Sequence, residues 1–263
     1  MGNIALSIGD ATVGYRNGKT VVPVVTAINA TLSVGEVVAL IGMNGAGKST
    51  LLRTLSAFQP PLSGWVEFAK GDVGSLSPAE LAKCVSVVLT ENNFASLTVS
   101  ELVSLGRTPY TGVLGRLTSE DKTVVAAAME RMGVAHLVGR VVTTLSDGER
   151  QKCLIAKSIA QHTPLMLLDE PTAFLDFRSK VQLFRTLRTL AANDGKAVVV
   201  STHDIEMALR FATKLWLICD GHLYEGSAQQ LANDGLLQRF IDGDGIVYDK
   251  ENNRIEITHE GAF

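Results

Sequence analysis

Short apolar runs separated by turn-forming residues fill positions 4–40 of the chain. There, β-branched runs alternate with turns at 16–18 and 34–36, a pattern typical of several antiparallel strands. Residues 37–41 are apolar throughout, which predicts a strand that is covered on both faces. Helical spacing follows a glycine-rich turn and predicts a helix over residues 48–57.

Between residues 99 and 145 the apolar residues follow helical spacing, which predicts two helices, at 100–105 and 119–132. Connections rich in Gly, Pro and Thr bound this region, so we expect an inserted helical subdomain. Beyond it, helical stretches alternate with short apolar runs, which indicates a mostly parallel sheet with right-handed crossovers. The predicted helices cover residues 149–161 and 179–193, and the predicted strands cover 165–168 and 197–201.

Two hairpins are predicted toward the C-terminus. Asp220-Gly221 lies between two apolar runs, as a tight hairpin turn requires. Residues 247–257 indicate a second hairpin that turns around positions 251–253. No chemistry is predicted for residues 228–263, which we interpret as a structural extension.

Composition excludes several classes of protein. The chain has 263 residues, 46% apolar, with a net charge of −3, which argues against broad, non-specific nucleic-acid binding. Its three cysteines show no metal-ligand or CxxC spacing, so we expect reduced thiols. No apolar run approaches the ~20 residues that span a bilayer. Since no charged-then-apolar leader opens the chain, we expect a non-secreted protein that reaches a membrane only through a partner.

A phosphate-binding loop connects the predicted strand 37–41 to the helix that follows, and it matches GxxxxGK[ST] in the required context. Glycines let successive backbone N–H groups converge on an anion, and the helix N-terminus adds unpaired donors. Lys48 is a point charge for the β- and γ-phosphates, and the Ser49 hydroxyl suits Mg²⁺. The motif therefore predicts binding of a nucleoside triphosphate by Gly42, Asn44, Gly45, Ala46, Gly47, Lys48, Ser49 and Thr50.

Two adjacent acids, Asp169 and Glu170, end the predicted strand 165–168. Side chains alternate along a strand, so the two carboxylates point to different sides and suit different tasks. Asp169 can orient the shell of a Mg²⁺ ion, and Glu170 can accept a proton from an attacking water as a general base. Two acids that merely end a strand are the alternative, which the phosphate loop makes less attractive.

Residues 145–151, Leu-Ser-Asp-Gly-Glu-Arg-Gln, resemble the LSGGQ signature of ATP-binding-cassette (ABC) ATPases. The resemblance extends from about residue 4 to 226. It implies a P-loop NTPase (RecA-like) α/β core at 1–90 and 146–227, with an antiparallel β-subdomain, an inserted α-helical subdomain at 91–145 and an extension at 228–263. It also implies that the signature and the phosphate loop of opposite subunits sandwich ATP, so that Ser146, Gly148 and Glu149 contact the nucleotide.

Three further positions match the order of motifs in this family. Tyr15 stands where an aromatic ring lies against adenine, although a half-buried strand aromatic is the simpler reading. Asp176 matches the D-loop at the subunit interface, or is a loop cap. His203 matches the switch histidine that contacts the γ-phosphate, and we expect it to take part in catalysis with Glu170 and Lys48.

The sequence departs from the family pattern at two places. Glu91 stands where the family has Gln, and we expect it to bind the nucleotide and Mg²⁺; Asn92 or Asn93 takes that position if the alignment slips. The signature has Asp147 and Glu149 in place of Gly and Gln. Ser146 and Glu149 also form a capping-box sequence, which predicts an ordered helix start in the free subunit.

A narrower resemblance, carried by residues 97–110 and 172–177, is to bacterial importers of ferric siderophores, haem and cobalamin. The alternative is that these segments only pack the helical subdomain and D-loop. The resemblance implies a peripheral ATPase at the cytoplasmic face of the cell membrane, working as a homodimer or related heterodimer with separate permease subunits and, indirectly, a substrate-binding protein. An exporter subunit, a non-transport ABC ATPase and an ATP-binding regulator without turnover remain the rival functions.

Overall fold

The computed structural model describes residues 3–69, 71–89, 96–112, 115–243 and 245–257. Within these ranges the strands form one large sheet and one short hairpin. The strands are β1 (Ile4–Asn17), β2 (Thr20–Ser33), β3 (Val37–Gly42), β4 (Ser63–Phe68), β5 (Gly71–Asp72), β6 (Val85–Val88), β7 (Leu165–Leu168), β8 (Ala197–Ser201), β9 (Lys214–Cys219), β10 (His222–Gly226), β11 (Ile246–Asp249) and β12 (Arg254–Ile257).

The large sheet has the order β5-β4-β1-β2-β10-β9-β3-β8-β7-β6. Strands β9, β3, β8, β7 and β6 are parallel neighbours, which confirms the mostly parallel core. The antiparallel pairing of β1 with β2 was also predicted, whereas β4, which pairs with the other side of β1, was not. The predicted burial of strand 37–41 on both faces is confirmed. Grouping residues 37–40 with the antiparallel strands was wrong, because β3 pairs in parallel with β8 and β9, far along the chain.

Helices connect the core strands and build the inserted region, and side-chain caps determine where several begin. Ser146 accepts a hydrogen bond from Glu149 N, so α5 starts two residues before the predicted position. Asp176 caps α6 in the same way. The helices are α1 (Lys48–Leu55), α2 (Pro78–Cys84), α3 (Val99–Ser104), α4 (Ser119–Arg131), α5 (Asp147–Ala160), α6 (Phe177–Asp194), α7 (Ile205–Phe211), α8 (Ala228–Asn233) and α9 (Leu236–Ile241).

Two apolar clusters pack on opposite faces of the sheet, and β3 contributes to both. Its side chains alternate between them, with Ile41 in one cluster and Leu40 in the other. Leu52 of α1 belongs to the same cluster as Leu40, whereas Ile155 of α5 belongs to that of Ile41. Helices α1 and α5 therefore lie on opposite faces of the sheet.

The segment Leu105–Tyr110 forms a short 3₁₀ helix that packs tightly in the helical region. A Cβ on Gly106 would come within 2.4 Å of the Lys157 carbonyl oxygen, so only glycine fits there. The buried Arg107 donates to Asp121 at 2.8 Å and to the Ala160 carbonyl at 2.9 Å. A packing role, the alternative considered for this segment, thus has a physical basis.

Both predicted C-terminal hairpins are present. Asp220 and Gly221 have φ of +50° and +74°, the left-handed conformations of a tight turn between β9 and β10. Strands β11 and β12 pair around the second predicted turn. In the described part of the chain, no helix combines the length and the apolar character needed to cross a bilayer.

Candidate nucleotide-binding and hydrolysis site

The phosphate loop connects the end of β3 to the start of α1, as predicted. Gly45 and Gly47 have φ of +76° and +106°, in the left-handed region that favours glycine. A Cβ on Gly47 would lie 2.6 Å from a methyl carbon of Val24, so a side chain at that position is also sterically excluded. The loop therefore needs its glycines both for the turn and for close packing on β2.

Lys48, the first residue of α1, is buried, with 5% of its surface exposed. Its ammonium donates to the Gly42 carbonyl at 2.8 Å and to the Met43 carbonyl at 3.2 Å. Burial lowers the pKa of Lys48, and the charges of Glu170 and Asp169 oppose that shift. The structure thus brings the loop lysine and both predicted acids into one electrostatic site.

The two acids have different environments, as the strand alternation predicted. Asp169 is buried and accepts a hydrogen bond from the Ser201 hydroxyl at 2.6 Å. Glu170 is partly exposed, and its Oε1 contacts Nε2 of His203. The backbone of Glu170 has φ of +47°, a sparsely populated conformation for a residue other than glycine. Glu170 and His203 therefore form a pair at the carboxyl end of the sheet.

The donors needed for a Mg²⁺ ion are hydroxyl and carboxylate oxygens. Ser49 is exposed in the first turn of α1, and Asp169 directly follows β7, at the same carboxyl-end edge of the parallel strands as the phosphate loop after β3. Within the described ranges no group of three or more His, Cys, Asp or Glu side chains forms a metal cage. The residues present fit Mg²⁺ held partly by nucleotide phosphates, which is its usual coordination. Glu91 lies outside the described residues, so its role stays a prediction.

Tyr15 lies near the end of β1 with half of its surface exposed. Its hydroxyl is 2.7 Å from the hydroxyl of Thr50, the last residue of the phosphate-loop motif. Gln59 supports the same corner, because its amide donates to the Gly14 carbonyl at 3.3 Å and to the Thr54 hydroxyl at 3.1 Å. One edge of the Tyr15 ring is thereby anchored to α1 while the ring remains partly open to solvent.

The signature segment forms the predicted capping box. Glu149 accepts from the backbone N–H of Ser146 at 2.9 Å and from its hydroxyl at 2.8 Å, which lowers the pKa of Glu149. A Cβ on Gly148 would lie 3.0 Å from the Phe174 carbonyl, so the signature lies directly against the D-loop. Asp176 caps α6 by accepting from Ser179 N at 2.7 Å.

A protein-family model described as ABC transporter matches residues 25–173, which is more than half of the chain. The chain belongs to this family. Membership confirms the predicted ABC ATPase fold and the ATP-hydrolysing activity.

Several ABC proteins are similar to this chain over most of its length. An uncharacterized ABC transporter ATP-binding protein of Methanocaldococcus jannaschii is 42% identical over 81% of this chain and 72% of that protein. An iron(3+)-hydroxamate import ATP-binding protein of Bacillus subtilis is 33% identical over 97% and 95%. A cobalamin import ATP-binding protein of Halobacterium salinarum is 39% identical over 76% of this chain, which spans only half of that protein. A dimeric bacterial ABC transporter cassette superposes with a TM-score of 0.76 at 27% identity, covering 84% and 98%.

Two residues of the ABC site were not predicted from the sequence. Ser201 bonds to both acids, and Gln59 braces the Tyr15 corner. A polar residue at the end of the apolar strand 197–201 was the available signal for Ser201. Gln59 belongs to no motif, and nothing in the sequence pattern distinguishes it.

Tyr15→Ala is expected to weaken ATP binding by about 1–3 kcal/mol if the ring stacks on adenine. Tyr15→Phe keeps the ring and removes only the hydroxyl contact with Thr50, so we expect the free energy of unfolding to fall by about 0.5–1.5 kcal/mol while the affinity for ATP is retained. Calorimetric titration with ATP and with inorganic triphosphate separates base stacking from phosphate binding. Equal losses for both ligands, or none for ATP, would reduce Tyr15 to a strand aromatic.

Proposed function

We propose that this chain is the ATPase subunit of a membrane importer and that it powers uptake of an iron chelate, haem or cobalamin through permease subunits on separate chains. The relatives named as iron(3+)-hydroxamate and cobalamin import proteins support this class of cargo. The contact of Glu170 with His203, beside Lys48 and Asp169, is the observation that carries the hydrolytic part of the proposal.

In the proposed reaction the residues of this chain bind the phosphates of ATP, activate the attacking water and stabilise the negative charge that develops on the phosphates. The loop N–H groups from Gly42 to Thr50 and the Lys48 ammonium bind the β- and γ-phosphates. Glu170 accepts the proton of the attacking water, and His203 orients its carboxylate and reaches the γ-phosphate. Ser49 and Asp169 would hold Mg²⁺, which neutralises phosphate charge when bound with ATP.

Two copies of the chain are needed for a complete site in this proposal. Because α1 and α5 pack on opposite faces of the sheet, the phosphate loop before α1 and the signature at the start of α5 are separated within one chain. A head-to-tail pair with two-fold symmetry brings each loop to the partner's signature. Ser146 and Gly148 approach the nucleotide across this interface, Glu149 orders the helix start, and Asp176 lies at the contact.

An open groove in the helical region suits a cytoplasmic loop of the permease. It has a volume of about 660 Å³ and is lined by residues between Leu97 and Leu117. Leu105 lines this groove with 48% of its surface exposed. Exposed apolar surface of this kind often marks a site where another protein binds. Docking there places the subunit at the cytoplasmic face of the membrane.

Leu105→Asp is expected to abolish co-purification with the permease subunits and to stop ATP-driven uptake by the reconstituted transporter, while basal ATP hydrolysis persists. An unpaired charge that is buried against apolar atoms of a partner costs about 3–5 kcal/mol. Val138→Asp is the matched control, since Val138 is 45% exposed and does not line the groove.

Proteoliposomes that contain the subunit and its permease test the cargo. Uptake of radiolabelled ferric hydroxamate, haem and cobalamin is measured with the cognate binding protein present. ATP-dependent outward transport, or no transport of any of these compounds, contradicts the importer assignment. Unchanged uptake by Leu105→Asp contradicts the docking surface alone.

A further inference from the structure

Ser201 ends β8 at the edge of the sheet where the two acids lie. Strands β7 and β8 are parallel, with Leu168 opposite Val200, so the next residues of each strand come side by side. Ser201 has no exposed surface and follows four buried apolar residues. A buried hydroxyl needs partners, and here the available partners are the two acids of the site.

One hydroxyl connects both acids, and the direction of each hydrogen bond is fixed. The Ser201 oxygen lies 2.6 Å from Oδ1 of Asp169 and 2.8 Å from the backbone nitrogen of Glu170. An ionised carboxylate only accepts, so the hydroxyl donates to Asp169 and accepts from Glu170 N–H. The short distance to Asp169 is typical of a hydrogen bond to a charged acceptor.

The second bond supports an unusual backbone. Glu170 has a left-handed φ of +47°, which residues other than glycine rarely adopt unless surrounding contacts stabilise it. Its backbone N–H donates to the buried hydroxyl of Ser201. The side chain of Glu170 leaves in the direction of His203 and contacts it.

We infer that Ser201 is a positioning residue that orients, through one hydroxyl, both the carboxylate of Asp169 and the backbone turn that aims Glu170. This inference rests on the proposed roles of Asp169 in holding Mg²⁺ and of Glu170 as the base. The hydroxyl restricts rotation of the Asp169 carboxylate and holds Glu170 in reach of the attacking water. Ser201 has no exposed surface, so it acts through these two acids rather than on the substrate.

Ser201→Ala removes both hydrogen bonds, and kcat for ATP hydrolysis is expected to fall about 10–100-fold, as for other residues that orient metal-binding groups. The KM for ATP should change less than about threefold, because the phosphate loop is untouched. The matched control is Ser86→Ala on β6, the other neighbour of β7. Ser86 is equally buried and bonds to Ser158 at 2.7 Å, so its removal perturbs the fold similarly and leaves kcat unchanged.

Two further measurements separate positioning from stability. Manganese binding to the subunit loaded with a non-hydrolysable ATP analogue, followed by electron paramagnetic resonance, should weaken about tenfold in Ser201→Ala and not in Ser86→Ala. Adding Ser201→Ala to Glu170→Gln should slow the residual hydrolysis far less than Ser201→Ala slows the parent, because both changes disable the same base.

Parental kcat together with parental manganese affinity in Ser201→Ala overturns the inference. If that variant does not fold, Ser201→Cys keeps nearly the same shape with a weaker donor and acceptor, and the same outcomes apply. Loss of hydrolysis in Glu170→Gln alongside an unaffected Ser201→Ala refutes only the positioning role. An active Glu170→Gln refutes the proposed function of the site instead.

Discussion

Glu170→Gln is expected to hydrolyse ATP about 10²–10⁴ times more slowly than the parent, because the amide cannot accept the proton of the attacking water. ATP affinity should persist, since Glu170 adds no donor to the phosphate loop. The amide fills the same volume beside His203, and the left-handed backbone at this position is unchanged. With binding intact and turnover lost, the variant should accumulate as an ATP-bound dimer.

Single-turnover hydrolysis and size-exclusion chromatography with and without ATP measure the two effects. Glu206→Gln is the control, because Glu206 is an exposed acid in the first turn of α7, close in sequence to His203. It removes one negative charge near the site without removing the base. A hydrolysis rate of Glu170→Gln near that of the parent is incompatible with the assigned base.

The core strands β3, β7 and β8 and the starts of α1 and α4 could be predicted closely from the sequence, whereas the starts of α5 and α6 could not. The bounds of β7 and β8 equal the predicted ones, because each is a short run of residues buried on both faces. Helices α5 and α6 begin two residues early, at Asp147 and Phe177. Their starts depend on caps at the preceding residues, while apolar periodicity begins only where the helix meets the core.

Motifs predicted the separate parts of the site, but contacts between distant segments required the structure. The phosphate loop and the acid pair each carry their chemistry in adjacent residues. The bridge from Ser201 to Asp169 depends on which strands are neighbours and on their register, and neither follows from local sequence. The contact of Tyr15 with Thr50 likewise joins residues 35 positions apart. The division into core, helical subdomain and extension remains a prediction.

Lys48→Ala is expected to abolish saturable ATP binding at concentrations that saturate the parent. The Lys48 ammonium is the buried cation of the phosphate loop, and its removal leaves the phosphate charge facing Asp169 and Glu170 without compensation. Truncating one partner of a buried charge pair costs about 2–5 kcal/mol, or on the order of 30- to 5,000-fold in affinity. Equilibrium dialysis with labelled ATP measures the loss.

Lys196→Ala distinguishes this effect from general damage to the fold. Lys196 is also buried, at 7% exposure, and its ammonium donates to the Thr163 carbonyl at 2.6 Å, as Lys48 donates to the loop carbonyls. Burial lowers the pKa of both lysines, so each substitution removes a desolvated cation. Of these two lysines, Lys48 is the one that feels the charges of Asp169 and Glu170, so Lys196→Ala should bind ATP like the parent even if it unfolds at lower temperature. Parental ATP affinity in Lys48→Ala would mean that residues 42–50 do not bind the phosphates.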